Sequence, residues 1–241
     1  MKQERKTIAP NYYIKLVQGC ECTGMEKNKP YSTDQGVIRY VIFDFDGTLV
    51  DSKEVSIIIY NQLAQKYNMK KIENKENLLK LPLLERFKAL DVPLIKLPFL
   101  VSDITKRYKS LLLNITMFSG IRELLIELNG RGYQLAIISS NSESNIRDYF
   151  QQNQLDVIGT IKSSTNIFGK DKVIKKFLTT HRISLPEVIY IGDEIRDVEA
   201  CKKIGIKIIC VEWGYDPIEM LKHKQPDYIV GSPQDILSIL P

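Results

Sequence analysis

Hydrophobic positions along this 241-residue chain fall into short blocks whose spacing changes from one region to the next. Residues 39–43 (RYVIF) are, after Arg39, all β-branched or aromatic and run straight into DFDGT, the pattern of a buried strand that stops at a polar loop. From Ser119 onward two periods alternate. Helical spacing at Ile121–Asn129 is followed by a strand-like run at Tyr133–Ile138, a helix at Ser144–Gln152 and a strand at Val157–Ile161. Further helices are expected at Lys170–Thr180 and Asp197–Ile204, with strands at Val188–Ile191, Ile206–Val211 and Tyr228–Val230. Repeated βα units imply a parallel sheet covered on both faces. The expected fold is therefore α/β, a Rossmann-like parallel sheet core with helices on both faces, and ligands of such sheets bind beyond the carboxyl ends of the strands.

Residues 53–117 break this alternation. They contain no convincing strand, only helix-like stretches such as Val55–Tyr67 and Ser102–Leu113. The segment LPLLERFKALDVPLIKLPFL would read as one long helix without Pro82, Pro93 and Pro98, and with them it becomes two or three short helices joined by turns. The expected organisation is a core made of residues 39–52 and 118–241, interrupted by a small α-helical cap at 53–117. Residues 1–38 are polar, lack periodicity and are punctuated by Gly19, Gly24, Pro30 and Gly36, which reads as a loosely ordered N-terminal extension.

Composition narrows the class. With 44% hydrophobic and 26% charged residues the chain reads as an ordinary globular protein. The basic start MKQERK leads into no signal-peptide apolar region, and no apolar run reaches the ~18 residues that span a bilayer. Four cysteines, Cys20, Cys22, Cys201 and Cys210, are too few and too irregularly spaced for a disulfide framework, so a reducing cytoplasm is expected. Cys20 and Cys22 lack a second ligand pair that would complete a metal site, whereas Cys201 and Cys210 fall in helix and strand patterns as small core residues. The formal charge of +5 is unevenly distributed: +6 on residues 53–117, +2 on 1–38 and −3 on the rest. The insertion carries neither interleaved stacking aromatics nor a nucleic-acid-binding motif, so no nucleic-acid partner is expected. A basic lid over an acidic crevice would instead attract a doubly negative phosphate monoester.

That crevice is implied by three strand ends. Phe43 precedes Asp44, Ile138 precedes Ser139, and Ile191-Gly192 precedes Asp193. Asp44 and Asp193, with Asp46 nearby, would repel one another unless a cation sat among them, and hard oxygen ligands of this kind select Mg²⁺. A carboxylate held against a metal-bound phosphoryl group can form an acyl phosphate, which gives Asp44 the role of nucleophile. Asp46, two residues on, can lie beside the leaving oxygen and transfer a proton. Gly47 lets the loop turn tightly and, with Thr48, brings N–H groups toward phosphate oxygens, while Lys170 at a helix start can neutralise both Asp44 and the phosphate.

DFDGT at 44–48, IISSN at 137–141, GK at 169–170 and GDEIRD at 192–197 resemble the four ordered motifs of the haloacid dehalogenase superfamily over residues 40–212. Within it the chain is similar to the phosphoglycolate-phosphatase-like branch, whose helical cap lies between the first and second motifs. The resemblance implies that Asp44 accepts the phosphoryl group, Asp46 is general acid and then base, Ser139 donates to the phosphate and Lys170 neutralises charge. It further implies that Asp193 binds Mg²⁺ with the Asp44 carboxylate and the Asp46 backbone carbonyl. Glu194 or Asp197 would orient metal waters or Lys170 from behind, and Asn141 is a further candidate for the phosphate pocket. Trp213-Gly214-Tyr215 resembles a loop of this branch with a structural role. The expected activity is hydrolysis of a small phosphorylated metabolite, nominally phosphoglycolate. A phosphomutase or phosphotransferase using the same acyl phosphate is the nearest alternative, and a non-catalytic, partner-binding protein that has kept the fold is the alternative from another class. A halogen-removing enzyme fits less well, because that branch lacks the second aspartate present here as Asp46.

Overall fold

The computed structural model describes residues 37–164 and 169–240. Most of the expected extension, including Cys20 and Cys22, lies outside the described residues. Six parallel strands form one sheet: β1 (Tyr40–Phe43), β4 (Gln134–Ser139), β5 (Thr160–Ser163), β6 (Val188–Gly192), β7 (Lys207–Val211) and β8 (Tyr228–Val230), in the order β5-β4-β1-β6-β7-β8. The chain builds outward from β1 to β4 and β5 on one side, then returns to build β6, β7 and β8 on the other. β1 thus sits at the switch point of the sheet, with Phe43 level with Ile137 of β4 and Ile191 of β6.

Alternation along the strands explains why both faces are covered. Val41, Phe43, Ile137, Ile189 and Ile191 enter one apolar cluster, whereas Ile42, Ala136, Ile138, Val188 and Tyr190 enter the other. The first is closed by α5 (Ile121–Gly130), α6 (Glu143–Gln152) and α10 (Pro233–Ile239), the second by α7 (Lys170–His181), α8 (Ile195–Ile204) and α9 (Ile218–His223). Val41, Ile42 and Phe43 are wholly buried, each contributing roughly 1.5–3 kcal/mol. Cys201 and Cys210 are free thiols in the second cluster. No helix among the described residues is long and apolar enough to cross a membrane.

Between the first two core strands the chain leaves the sheet. It exits through β2 (Val50–Asp51) and returns through β3 (Thr116–Met117), which pair antiparallel, Val50 opposite Met117. The excursion holds α1 (Lys53–Tyr67), α2 (Lys75–Leu79), α3 (Leu83–Ala89) and α4 (Leu97–Ser110), with short 3₁₀ turns at Leu94–Lys96 and Leu112–Asn114. Helix α4 starts five residues before the expected Ser102, because Pro98 falls in its first turn, where a missing N–H leaves no bond unmade. Likewise β5 begins at Thr160 instead of Val157. It is an edge strand whose register comes only from β4, Ala136 facing Thr160, and the preceding Gly159 N–H already bonds Leu135 O at 3.0 Å.

Helices α1 and α4 bury Ile59, Leu63, Tyr67, Leu100 and Tyr108 between them and against the first core cluster. What ties α3 to the sheet is polar. Arg86 donates to Leu79 O, Leu81 O and, at 2.5 Å, to Asp216 beyond β7, both partners being almost completely buried. Removing one partner of such a pair costs ~3–5 kcal/mol because the other charge is stranded. The exposed pairs of this region, such as Lys88–Glu85, add little.

Candidate active site

The carboxyl ends of β1, β4 and β6 deliver Asp44, Ser139 and Asp193 to one crevice, and all three are buried. Asp44 is pinned by an extra rung of the sheet, its N–H bonding Ile191 O at 2.8 Å. Its Oδ1 accepts the Phe45 N–H at 2.7 Å and its Oδ2 accepts the Lys170 ammonium at 2.6 Å. Lys170, first residue of α7, also donates to Asp197 at 2.5 Å. Asp197 spends its other oxygen on the Glu194 N–H at 3.2 Å, so one side chain both caps α8 and holds the lysine. Burial alone would raise the Asp44 carboxyl, but Lys170 and the nearby Arg196 guanidinium bring it below its ordinary value. Burial would lower Lys170, and the charges of Asp197 and Asp44 outweigh it and raise the ammonium. Asp44 is thus an ionised, oriented carboxylate at neutral pH.

Asp46 is held by a different set of groups from Asp44. Its Oδ1 accepts the Ser52 hydroxyl at 2.6 Å and the Tyr108 hydroxyl, and its Oδ2 accepts the Asn141 amide at 2.9 Å. Burial raises this carboxyl above its ordinary value, the three donors pull it back, and the charge of Asp44 adds to the rise. Two aspartates two residues apart are therefore driven in opposite directions, one kept ionised and the other made easier to protonate. That is the division of labour a nucleophile and a general acid require.

Asp193 is held by neutral donors, the Thr48 hydroxyl at 2.6 Å and the Tyr215 N–H at 2.7 Å. Burial and the charges of Glu194, Asp44 and Asp197 push it well above the usual carboxylate range. The loop after β7 exists to make this approach possible. A Cβ on Gly214 would stand 2.0 Å from the Asp193 Cβ, and one on Gly47, which has φ +79°, would stand 2.3 Å from an Asp193 carboxylate oxygen. Trp213 donates to Thr48 O at 3.1 Å, and Tyr215 places its hydroxyl 3.1 Å from Ser52 and 2.9 Å from Ser56.

Carboxylate oxygens of Asp44, Glu194 and Asp197 can lie within 4.8 Å of one another, close enough to share one ion. Counting Asp46 and Asp193, five carboxylates crowd this corner with the cations Lys170 and Arg196. The excess negative charge and the all-oxygen donor set fit a hard divalent ion such as Mg²⁺. Asp193 stands beside that trio, engaged by Thr48 and Tyr215.

Of the residues expected to hold phosphate, Ser139 is fully buried with its Oγ accepting the Asn141 N–H at 3.2 Å, and Asn141 faces Asp46. Thr48 is turned to Asp193, and the Gly47 N–H bonds Val50 O at 2.9 Å. Ser52, Arg196 and Tyr108 were not singled out from the sequence. Ser52 precedes α1, where a serine is read as a cap, and Arg196 sits inside GDEIRD, where it pairs with Glu194 and reaches Ser140 Oγ at 3.3 Å. Tyr215 lies in a loop expected to be structural, and it does buttress Asp193. Tyr108 carried no signal at all.

A family model described as haloacid dehalogenase-like hydrolase matches residues 41–211. Among curated proteins, a phosphoglycolate phosphatase of Synechococcus elongatus is 28% identical over 203 residues, covering 83% of this chain and 96% of its own. A pyrophosphatase PpaX of Listeria monocytogenes is 25% identical over 222 residues, covering 85% and 97%. Among solved structures, a haloacid dehalogenase-like family hydrolase of Streptococcus pneumoniae superimposes with a TM-score of 0.71 at 26% identity, over 85% of this chain and 99% of that one.

Proposed function

Because the chain belongs to the haloacid dehalogenase-like hydrolases, we propose that it is a Mg²⁺-dependent phosphatase that hydrolyses a small phosphomonoester through a phosphoryl group carried on Asp44. The observation that carries this reading is the pairing of Asp44, ionised and aimed by Lys170 and the Phe45 N–H, with Asp46, buried and raised by its surroundings. Asp44 attacks phosphorus as the bond from phosphorus to the ester oxygen breaks, and Asp46 gives its proton to the departing alcohol. Asp46, now a carboxylate, takes a proton from water as that water attacks the phosphoryl group, returning Asp44 and releasing phosphate. Lys170 keeps Asp44 charged yet neutralised, so that a dianion can approach it. Ser139, Asn141 and the Gly47-Thr48 turn are assigned to the phosphate pocket. Asp44, the Asp46 backbone carbonyl and Asp193 are assigned to Mg²⁺, with Glu194 and Asp197 at its edge, and Mg²⁺ supplies the positive charge that offsets the phosphate oxygens.

Residues 53–117 act as the cap that closes over the ester. Tyr108 touching Asp46 and Arg86 touching Asp216 support this, since both contacts need the insertion seated on the core. A cytoplasmic location is supported by the cysteine usage, four residues spaced too irregularly for a disulfide framework, two of which, Cys201 and Cys210, serve as small apolar core residues.

Phosphate release from a panel of phosphomonoesters, with and without Mg²⁺, tests the proposal by comparing the native chain with Asp44→Asn. Release should require Mg²⁺ and fall by at least about 10⁴-fold in the variant, as expected when a nucleophile is removed. Phosphate found on an added sugar hydroxyl would mark a transferase, and Mg²⁺ binding with no turnover of any ester would mark a binding protein.

A further inference from the structure

The catalytic corner opens into a cavity of 340 Å³ whose far wall is hydrocarbon. At one end it is lined by Asp46, Asn141, Glu194 and Arg196; the rest is enclosed by side chains from all four helices of the insertion. Ile57 comes from α1, Leu79 from α2, Phe87 from α3, and Val101 and Ile104 from α4. Its volume is in the range of small-molecule sites, roughly 300–1,000 Å³. These apolar side chains are neither packed away nor fully exposed, the state of residues with one side on a void.

The charged groups on the wall are already engaged. Arg86 is spent on two carbonyls and Asp216, Lys53 donates to Gly214 O at 2.8 Å over the Tyr215 ring, Lys75 pairs with Glu54, and Arg196 pairs with Glu194. A two-carbon acid such as glycolate would leave most of the cavity unfilled and would bring a carboxylate toward apolar walls that cannot solvate it. An alcohol with a hydrocarbon body would displace water from those walls and leave its phosphate at Asp44.

Resting on the phosphatase reading, we propose that the ester this enzyme prefers has an apolar leaving group, an alkyl or aryl alcohol, bound between the four helices of the insertion. Selection is made by hydrocarbon contact, and the strongly basic character of the insertion's surface serves the approach of the phosphate dianion.

The test is a series of n-alkyl phosphates, methyl, butyl and octyl, alongside phosphoglycolate, with kcat/KM measured in Mg²⁺. Burial of each added methylene should raise kcat/KM roughly fourfold until the cavity is full. Ile104→Lys should flatten that slope and narrow the gap to phosphoglycolate, a ratio read within one protein and so insensitive to a general loss of stability. Alkylphosphonates, which have no ester bond to cleave, read the cavity separately through their binding affinity. Turnover that is flat with chain length, or fastest on phosphoglycolate, overturns the apolar pocket while leaving the phosphatase standing. No turnover but octylphosphonate bound far more tightly than methylphosphonate supports the pocket and overturns the phosphatase. No turnover with flat phosphonate affinity overturns both.

Discussion

The sheet and the helical insertion contribute to one site by different physical routes. From the sheet, each functional group is set by a strand end: Asp44 after β1, Ser139 at the end of β4 and Asp193 after β6 are fixed by backbone pairing that a side-chain change barely disturbs. From the insertion come Tyr108, Arg86 and the apolar walls, placed by the packing of helix faces and by polar contacts with the core, among them Arg86 with Asp216, Tyr108 with Asp46 and Lys53 with Gly214 O. Strand ends make positions rigid but leave little room to vary them. Helix faces can exchange one side chain for another without changing the frame, so under the proposed function the chemistry belongs to the sheet and the choice of ester to the insertion.

After loss of the nucleophile itself, removing the proton donor beside it should give the largest effect and mark the chemical side of this division. Asp46→Asn keeps the shape of the side chain and loses its proton transfer, so kcat should fall by roughly 10²–10⁴-fold. The fall in kcat/KM, which reports transfer to Asp44 and not the later hydrolysis common to all esters, should be steeper for an alkyl phosphate, whose alkoxide needs the proton, than for 4-nitrophenyl phosphate, whose phenoxide leaves unaided. A loss equal for the two esters would mean that Asp46 orients the site without protonating the leaving oxygen.

The two routes also account for what the sequence discloses. An apolar run that stops at an aspartate can be read directly, because a buried parallel strand demands the run and the crevice demands the polar end. Asp44, Asp193 and the order of the βα units were visible for that reason. Edges were less so: β5 slides to Thr160 because only one neighbour sets its register, and α9 and α10 are six and seven residues long. Helix α10 did carry a signal, Ser232 with Asp235 in a capping box around Pro233. Tyr108 and Arg86 were invisible, one aromatic and one cation among many in a helical pattern. Their partners Asp46 and Asp216 lie 62 and 130 positions away, and no local period encodes that pairing.

A smaller effect is expected from the ion alone. Asp193 and Asp197 are buried among like charges, which pushes Asp193 well above its ordinary value and Asp197 to about 6, so protons and Mg²⁺ compete for these carboxylates. At a hundred times its dissociation constant, Mg²⁺ should add about 2.7 kcal/mol to unfolding stability, seen as a rise in Tm without any substrate. The sign of its pH dependence follows from those raised values. Protons occupy the same carboxylates as pH falls from 7.5 to 5.5, so the increment should shrink over that interval. An increment independent of pH would place the ion away from this cluster. The apolar wall of the insertion should leave it unchanged, so Ile104→Lys and the native chain should show the same rise.

Tyr108→Phe gives the smallest effect and crosses the division, since the insertion here touches the chemistry of the sheet. Its hydroxyl donates to Asp46 Oδ1, the oxygen that also accepts from Ser52, so the variant keeps one donor there and loses the other. A hydrogen bond to a charged group is worth ~1.5–3 kcal/mol, and the remaining donors recover part of it, leaving about a tenfold fall in kcat. Donation stabilises the carboxylate form of Asp46, so its loss must raise the Asp46 proton affinity. The acidic limb of the kcat profile should then move to higher pH, because Asp46 has to be ionised to take a proton from water. Ser52→Ala removes a donor supplied from the sheet side to the same oxygen and should move that limb in the same direction. The discriminating quantity is the dependence on ester length. If Tyr108 bonds Asp46 only when the insertion is seated, esters that fill the helical cavity should hold the contact and suffer most from its loss, whereas the effect of Ser52→Ala should be the same for methyl and octyl phosphate.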